Sequence, residues 1–258
     1  MYPEELIMNI VTSLILGFVE GITEFLPVSS TGHLILASSA LGLENNEFLK
    51  LFEIVIQTGA IAAVILIYWK DLINDRSYLF KMAIAFIPTG VFGLLFHSAV
   101  KKYLFTPQVV CTSLFVGGIV LLFLENISSK KKDHKLSYIN YFFIGIFQCL
   151  AFVPGVSRSA ATILGGRLLG ASREEAVKFS FLLAIPTILA ASGYSLLKVN
   201  YVLTSEEVLS LCLGLFSSFV FGYLSIKVFL KLLNHKTFVV CGVYRMILAV
   251  IYFAVYLY

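Results

Sequence analysis

Glu20 and Glu24 stand four residues apart inside a long apolar stretch, so on a helix their carboxylates share one face. Pro27 interrupts that helix, and Val28-Ser29-Ser30-Thr31-Gly32-His33 follows. Carboxylates are costly in lipid, and polar groups kept at such depth mark sites. The acidic pair could share a proton, pair with a cation, or hold a divalent metal through oxygen ligands. The structural alternative is a buried ion pair with Arg158 or Arg245. Ser and Thr ahead of an apolar run are helix N-caps, and capping alone would account for Ser29 or Thr31 taken singly. The cluster says more. A helix N-terminus presents free N–H groups and a positive dipole end, which suit a phosphate. His33 falls on the same side of that turn, and a hydroxyl beside an imidazole is the minimal activated nucleophile.

A second segment repeats this arrangement with different chemistry. Residues 17–42 read GFVEGITEFLPVSSTGHLILASSALG, and residues 145–170 read GIFQCLAFVPGVSRSAATILGGRLLG. At a constant offset of 128, Gly17 meets Gly145, Val28 meets Val156, Ser29 meets Ser157 and Gly42 meets Gly170. Pro27 and Pro154 fall one place out of step. The acids are not reproduced, since Gln148 replaces Glu20 and Phe152 stands at Glu24. Arg158 enters instead, and its guanidinium can bind phosphate oxygens through two parallel hydrogen bonds. One copy thus supplies acids, hydroxyls and an imidazole; the other supplies an anion clamp. Together they fit a metal-bound polyanionic group carried on a lipid. Glu53 and Gln57, four apart on the helix after the first segment, are expected to support the site from behind. Arg245, and Thr89 beside Pro88, are expected to serve structural pairing or packing.

The elements that position these residues are membrane helices. The chain has 258 residues, 59% hydrophobic and 13% charged, with a mean hydropathy of +0.92. A soluble domain exposes far more charge. Apolar stretches run about 6–26, 51–69, 78–99, 107–124, 138–153, 176–197, 207–230 and 239–257 without two-residue alternation. Short apolar arms at 34–42 and 160–170 cannot cross alone, so each is expected to return from a re-entrant hairpin buried in protein. With two hairpins and about six crossings, one face holds Lys70, Arg76, Lys81, Lys130, Lys131, Lys132, Lys135, Arg173, Lys178, Lys231 and Lys236. The other holds Lys50, Lys101, Lys102 and Lys198. The positive-inside rule makes the first face cytoplasmic and puts both termini outside. If each hairpin were a single crossing, the charges would divide almost evenly. The bias favours hairpins, and with them each half has three crossings, so the halves (about 1–128 and 129–258) are expected to be inverted repeats of one membrane domain. Inverted repeats with broken helices place sites where the repeats meet.

The remaining features are quieter. The net charge of +4 is small and lies in loops, which gives a topology signal and not a nucleic-acid surface. Cys111, Cys149, Cys212 and Cys241 are scattered singly, without zinc or disulfide spacing. His97, His134 and His235 lie at segment ends or in loops. The N-terminal MYPEEL is acidic and lacks the basic region of a signal peptide, so the first apolar segment is expected to be retained.

The motifs EGITEFLPVSSTGH, with Glu20, Glu24, Ser29, Ser30 and His33, and PGVSRSAAT, with Ser157, Arg158, Ser159 and Thr162, resemble the undecaprenyl-diphosphate phosphatase family of the bacitracin-resistance type. FEIVIQTGA and FSFLLAIP also look like that family, and the likeness covers nearly the whole chain. The resemblance implies a multi-pass enzyme of the bacterial plasma membrane that depends on a divalent metal. It would convert undecaprenyl diphosphate to undecaprenyl phosphate and inorganic phosphate, recycling the carrier for peptidoglycan synthesis and removing the target of bacitracin. A homodimer with its active site open to the outer face is implied as well. Joined to the residues, Glu20 and Glu24 would bind Mg²⁺ or Ca²⁺. Ser29, Thr31, Ser157, Arg158, Ser159 and Thr162 would bind phosphate, and Ser30 would be the nucleophile with His33 as base. A metal-activated water attacking directly is the alternative. A flippase for lipid phosphates would use the same fold and anion clamp, with no need for a nucleophile beside a base.

Overall fold

The computed structural model describes residues 8–44, 46–104, 106–128, 134–233 and 237–256. Its first half contains α1 (Ile10–Thr23), α2 (Ser30–Ala40), α3 (Glu47–Val55), α4 (Gln57–Asn74), α5 (Ser77–Tyr103) and α6 (Pro107–Ser128). The second contains α7 (Tyr138–Cys149), a 3₁₀ turn over Leu150–Phe152, α8 (Arg158–Leu168), α9 (Arg173–Leu197), α10 (Ser205–Leu232) and α11 (Thr237–Tyr256). No strand occurs among the described residues. Among the described residues six segments are long and apolar enough to cross a membrane: Glu47–Asn74, Ser77–Phe96, Gln108–Glu125, Arg173–Leu197, Ser205–Leu232 and Thr237–Val255. Ile10–Thr23 and Tyr138–Phe152 are apolar but short. The chain is an all-α, multi-pass membrane protein, and Leu94, Phe123, Phe216 and Ile247 point outward as lipid requires.

The offset of 128 recurs in the element boundaries. Helices α1 and α7 begin at Ile10 and Tyr138, and α5 and α10 begin at Ser77 and Ser205. Helices α2 and α8 begin and end in step, at Ser30 and Arg158 and at Ala40 and Leu168. Packing follows the same rule. α1 lies along α10, while its counterpart α7 lies along α5, the counterpart of α10. Helices α6 and α11 cross each other. Such reciprocal exchange is what a pseudo-two-fold axis between the halves produces.

Lipid offers helices no hydrophobic reason to associate, so close backbone approach and interhelical hydrogen bonds do the joining. A Cβ on Gly17 would meet Gly214 O at 2.4 Å, and one on Gly145 would meet Ala85 O at 2.0 Å. At the first contact Ser217 Oγ donates to Leu14 O at 2.8 Å. At the second its repeat counterpart, Thr89 Oγ1, donates to Gly145 O at 3.2 Å. Both short helices are thereby held by small residues and a hydroxyl at equivalent places. At the helix ends, Lys178 Nζ pairs with Asp71 Oδ1 at 2.7 Å, and Arg173 pairs with Glu125.

One expected continuity is interrupted. The helix carrying Glu53 and Gln57 breaks at Ile56, between α3 and α4. Glu53 faces Ser38 of α2, whose Oγ donates to Glu53 Oε1 at 2.9 Å. The lysine run Lys130-Lys131-Lys132, His235 and Lys236 lie outside the described residues, as do the side chains of His97, Lys101 and Lys102.

Candidate active site

Each hairpin tip is a helix break followed by a serine cap. After α1 the chain turns through residues 24–28, and Ser29 caps α2 with φ at 73°. After the 3₁₀ turn, Pro154 and Gly155 lead to Ser157, which caps α8 with φ at 75°. These are the only non-glycine residues at positive φ among those described. Such strain persists only where the surroundings impose it, and it clusters at functional sites. The caps hold Gly32 N to Ser29 Oγ at 3.5 Å and Ala160 N to Ser157 Oγ at 3.3 Å. The tips touch where Ser159 Oγ donates to Leu26 O at 3.0 Å.

The chemistry spans this junction. Ser30 Oγ donates to Glu24 Oε2 at 2.6 Å. Arg158 Nη2 donates to Glu24 Oε1 at 3.3 Å, and Nη1 donates to Ser180 O at 2.7 Å. Arg158 Nε is buried with no hydrogen-bond partner. A hydroxyl and a carboxylate from one half thus meet a guanidinium from the other. They line a cleft of about 180 Å³ together with Ser29, Thr31, Gln57, Ser157, Thr89, Gln148, Thr187 and the second tip, residues 151–155.

Not every candidate reaches the cleft. His33 lies outside its lining and away from Ser30: its Nδ1 meets Ser29 O at 2.8 Å, and its Nε2 meets Tyr244 OH at 2.6 Å. The carboxylate beside Ser30 is that of Glu24, because the break at Pro27 folds α2 back beside the end of α1. Ser159 is spent on Leu26 O. Thr162 Oγ1 donates to Arg158 O at 2.9 Å and meets Ser180 Oγ at 2.6 Å, which fixes the first turn of α8 from within. Glu53 is turned to Ser38, whereas Gln57 lines the cleft.

The cleft also contains groups not assigned to it from sequence. Gln148 Nε2 donates to Thr89 Oγ1 at 2.8 Å and to Thr187 Oγ1 at 3.2 Å. Gln148 is the repeat counterpart of Glu20, which was a signal for its depth; Thr187, after Pro186 in an apolar run, gave none, and neither did Tyr244, which partners His33 outside the cleft.

Two carboxylates suit a divalent cation whose remaining ligands are phosphate oxygens and water. Glu20 is fully buried, and neither carboxylate oxygen has a hydrogen-bond partner. An ionised carboxylate cannot stay so without compensation. Among the described residues no group of three or more His, Cys, Asp or Glu is placed to hold a metal. Glu20 does not line the cleft, and both Glu24 oxygens are engaged by Ser30 and Arg158; the unpartnered Glu20 carboxylate, one turn from Glu24, is the feature that suits a cation.

The family model described as Bacitracin resistance protein BacA matches residues 13–251. A protein of Persephonella marina named undecaprenyl-diphosphatase is 47% identical over 95% of this chain and 98% of its own length. Proteins of the same name from Wolinella succinogenes and Aquifex aeolicus are 46% and 42% identical, again over 95% of this chain and 97% and 98% of theirs.

Proposed function

This chain belongs to the bacitracin resistance protein BacA family, and from that membership we propose that it is an undecaprenyl-diphosphatase of the bacterial plasma membrane. It would release inorganic phosphate from undecaprenyl diphosphate and return undecaprenyl phosphate to peptidoglycan synthesis, which also confers bacitracin resistance. Relatives bearing that name support the assignment over nearly their full length. The observation that carries it is the chain of contacts from Ser30 through Glu24 to Arg158 across the two tips. A lipid-phosphate transporter would need the guanidinium but not the hydroxyl on a carboxylate.

Ser30 is the nucleophile and Glu24 its base. A separation of 2.6 Å is within reach for proton transfer, and no water need intervene. Ser30 Oγ attacks the terminal phosphorus as its proton passes to Glu24. The bond from that phosphorus to the bridging oxygen breaks, and undecaprenyl phosphate leaves. Glu24 passes that proton to the leaving oxygen, then takes a proton from the water that cleaves the phosphoserine and returns it to Ser30 Oγ, releasing phosphate. Arg158, the Ser157 hydroxyl, Ser29 and Thr31 bind the phosphate oxygens; the N–H groups of α2 and α8 add preorganised positive charge. Phosphoryl transfer depends mainly on such positioning and charge stabilisation. His33 holds the Ser29 carbonyl and so fixes the cap that presents Ser30. Glu20 and Glu24 would hold Mg²⁺ or Ca²⁺, which when bound neutralises diphosphate charge. Lysine and arginine bias supports a cleft open to the outer face with both termini outside, and the family resemblance supports a homodimer.

The test is phosphate release from undecaprenyl diphosphate by the purified protein, with Mg²⁺ or Ca²⁺ and with EDTA, beside Arg158→Ala. Release that needs metal and is lost in the variant is expected. A folded, monodisperse protein that releases no phosphate under any metal condition overturns the assignment.

A further inference from the structure

Arg245 of α11 is fully buried and lies outside the cleft. Its guanidinium has five N–H groups. Five main-chain carbonyls surround it: Nε donates to Leu114 O at 3.3 Å, Nη1 to Pro27 O at 3.2 Å and Val156 O at 2.9 Å, and Nη2 to Ser113 O at 3.0 Å and Gly155 O at 2.7 Å. Three of these carbonyls belong to the helix breaks. Pro27 and Gly155 are counterparts at the offset of 128, so one side chain holds the same point of both tips.

Its own counterpart explains how this is possible. Position 117 corresponds to 245, and it is glycine. A Cβ there would stand 2.0 Å from Arg245 Nη2. Helices α6 and α11 cross at this place, where Gly118 approaches Gly242 O and Gly242 approaches Gly118 O. The pseudo-two-fold axis runs through the crossing, and only one of two equivalent side chains can occupy it. Pro27 and Val156 are each within three residues of a reacting group, Ser30 and Arg158 respectively.

We infer that Arg245 is a positioning residue that sets the register of the two tips and so assembles the anion site across them. It touches no substrate. This inference rests on the phosphatase assignment for its kinetic readout but not for its binding readout.

Arg245→Gly would leave a space shaped for a guanidinium ion and lined by carbonyls. A misplacement on the ångström scale between reacting groups is expected to lower kcat about 100-fold. Guanidinium chloride at low, non-denaturing concentration should restore much of that loss, while sodium chloride and urea at equal concentration should not. Binding of inorganic phosphate to the purified protein, followed by calorimetry, should weaken and recover in parallel. Wild-type kcat in Arg245→Gly overturns the inference. So does guanidinium that raises the thermal midpoint without restoring kcat or phosphate binding. Should the glycine variant not fold, Arg245→Lys decides: it keeps the charge with three donors, and unchanged turnover and phosphate binding would refute a role that depends on the fork. If the wild-type protein releases no phosphate, the assignment of activity fails, and the phosphate-binding arm still tests Arg245.

Discussion

Glu24→Gln and Ser30→Ala, measured singly and together, test the pairing at the centre of the site. The Ser30 hydroxyl lies 2.6 Å from Glu24 Oε2, and Arg158 lies 3.3 Å from the other oxygen. Glutamine keeps the shape and removes the base. General-base catalysis contributes about 10²- to 10⁴-fold, so a loss of about 10³ in kcat is expected, near 4 kcal/mol of barrier. Removing the hydroxyl should cost a similar factor. Two independent losses would multiply to about 10⁶, whereas groups acting as one unit lose no more together than singly. The double variant should therefore turn over about as slowly as Glu24→Gln alone, which also loses a proposed metal ligand. Glu24→Gln carries a second cost, because Arg158 loses its buried counter-charge; breaking such a pair costs about 3–5 kcal/mol. That cost falls on stability and on the apo site, so thermal midpoints should drop in Glu24→Gln and not in Ser30→Ala. The assay is phosphate release at saturating lipid, with folding checked by gel filtration. Additive losses, or Ser30→Ala with near-normal turnover, would refute a serine nucleophile activated by Glu24 and favour direct attack by water.

Two further outcomes probe topology and packing. Glu44 and Asp75 are exposed on either side of the long segment Glu47–Asn74. A cysteine at Glu44 should react with an impermeant maleimide in intact cells and one at Asp75 only after lysis; the reverse pattern would invert the orientation. Gly145→Ala should destabilise the protein by about 1–3 kcal/mol, since its methyl group collides with a main-chain carbonyl. Gly193→Ala on α9 meets nothing within 4 Å and should be neutral or gain up to about 1 kcal/mol from helix propensity; equal thermal midpoints for the two variants would contradict the close approach of α7 to α5.

Much of the architecture was legible because breaks and caps are local signals. Pro27 with Ser29, and Pro154-Gly155 with Ser157, mark the tips in one dimension, and the offset of 128 survives in helix boundaries that no single residue encodes. Hydropathy located the six long segments because each must satisfy its backbone internally. Partnerships across elements were less visible. His33 follows Ser30 by three residues, which in a helix puts them on neighbouring positions, yet its ring turns to Tyr244, a residue 211 positions away. Glu24, on the far side of the break, became the neighbour of Ser30 because the turn at Pro27 reverses the chain. Arg245 read as a packed arginine from its solitary place in an apolar run, and the carbonyls that hold it come from three separate parts of the chain. Spacing predicts which residues share a helical face; it does not say what faces them.

The two tips are alike in backbone and unlike in charge, and that difference has a consequence for how such a molecule could arise. In a protein made of two copies of one half, Glu24 would meet the other copy's Ser30, or Arg158 would meet the other copy's Phe152, at the junction where Glu24 now meets Arg158. Either charge would then lie buried without a counter-charge, which is costly away from water. Two copies of the second half would also drive two copies of the Arg245 side chain into one space. Two copies of either half, as the halves now stand, would therefore leave a charge unpaired or crowd the crossing. Once both copies are covalently joined, each position can diverge from its twin, and complementary charge becomes available. Two halves of different sequence are, on these grounds, a condition for the chemistry, and one chain supplies them in fixed proportion.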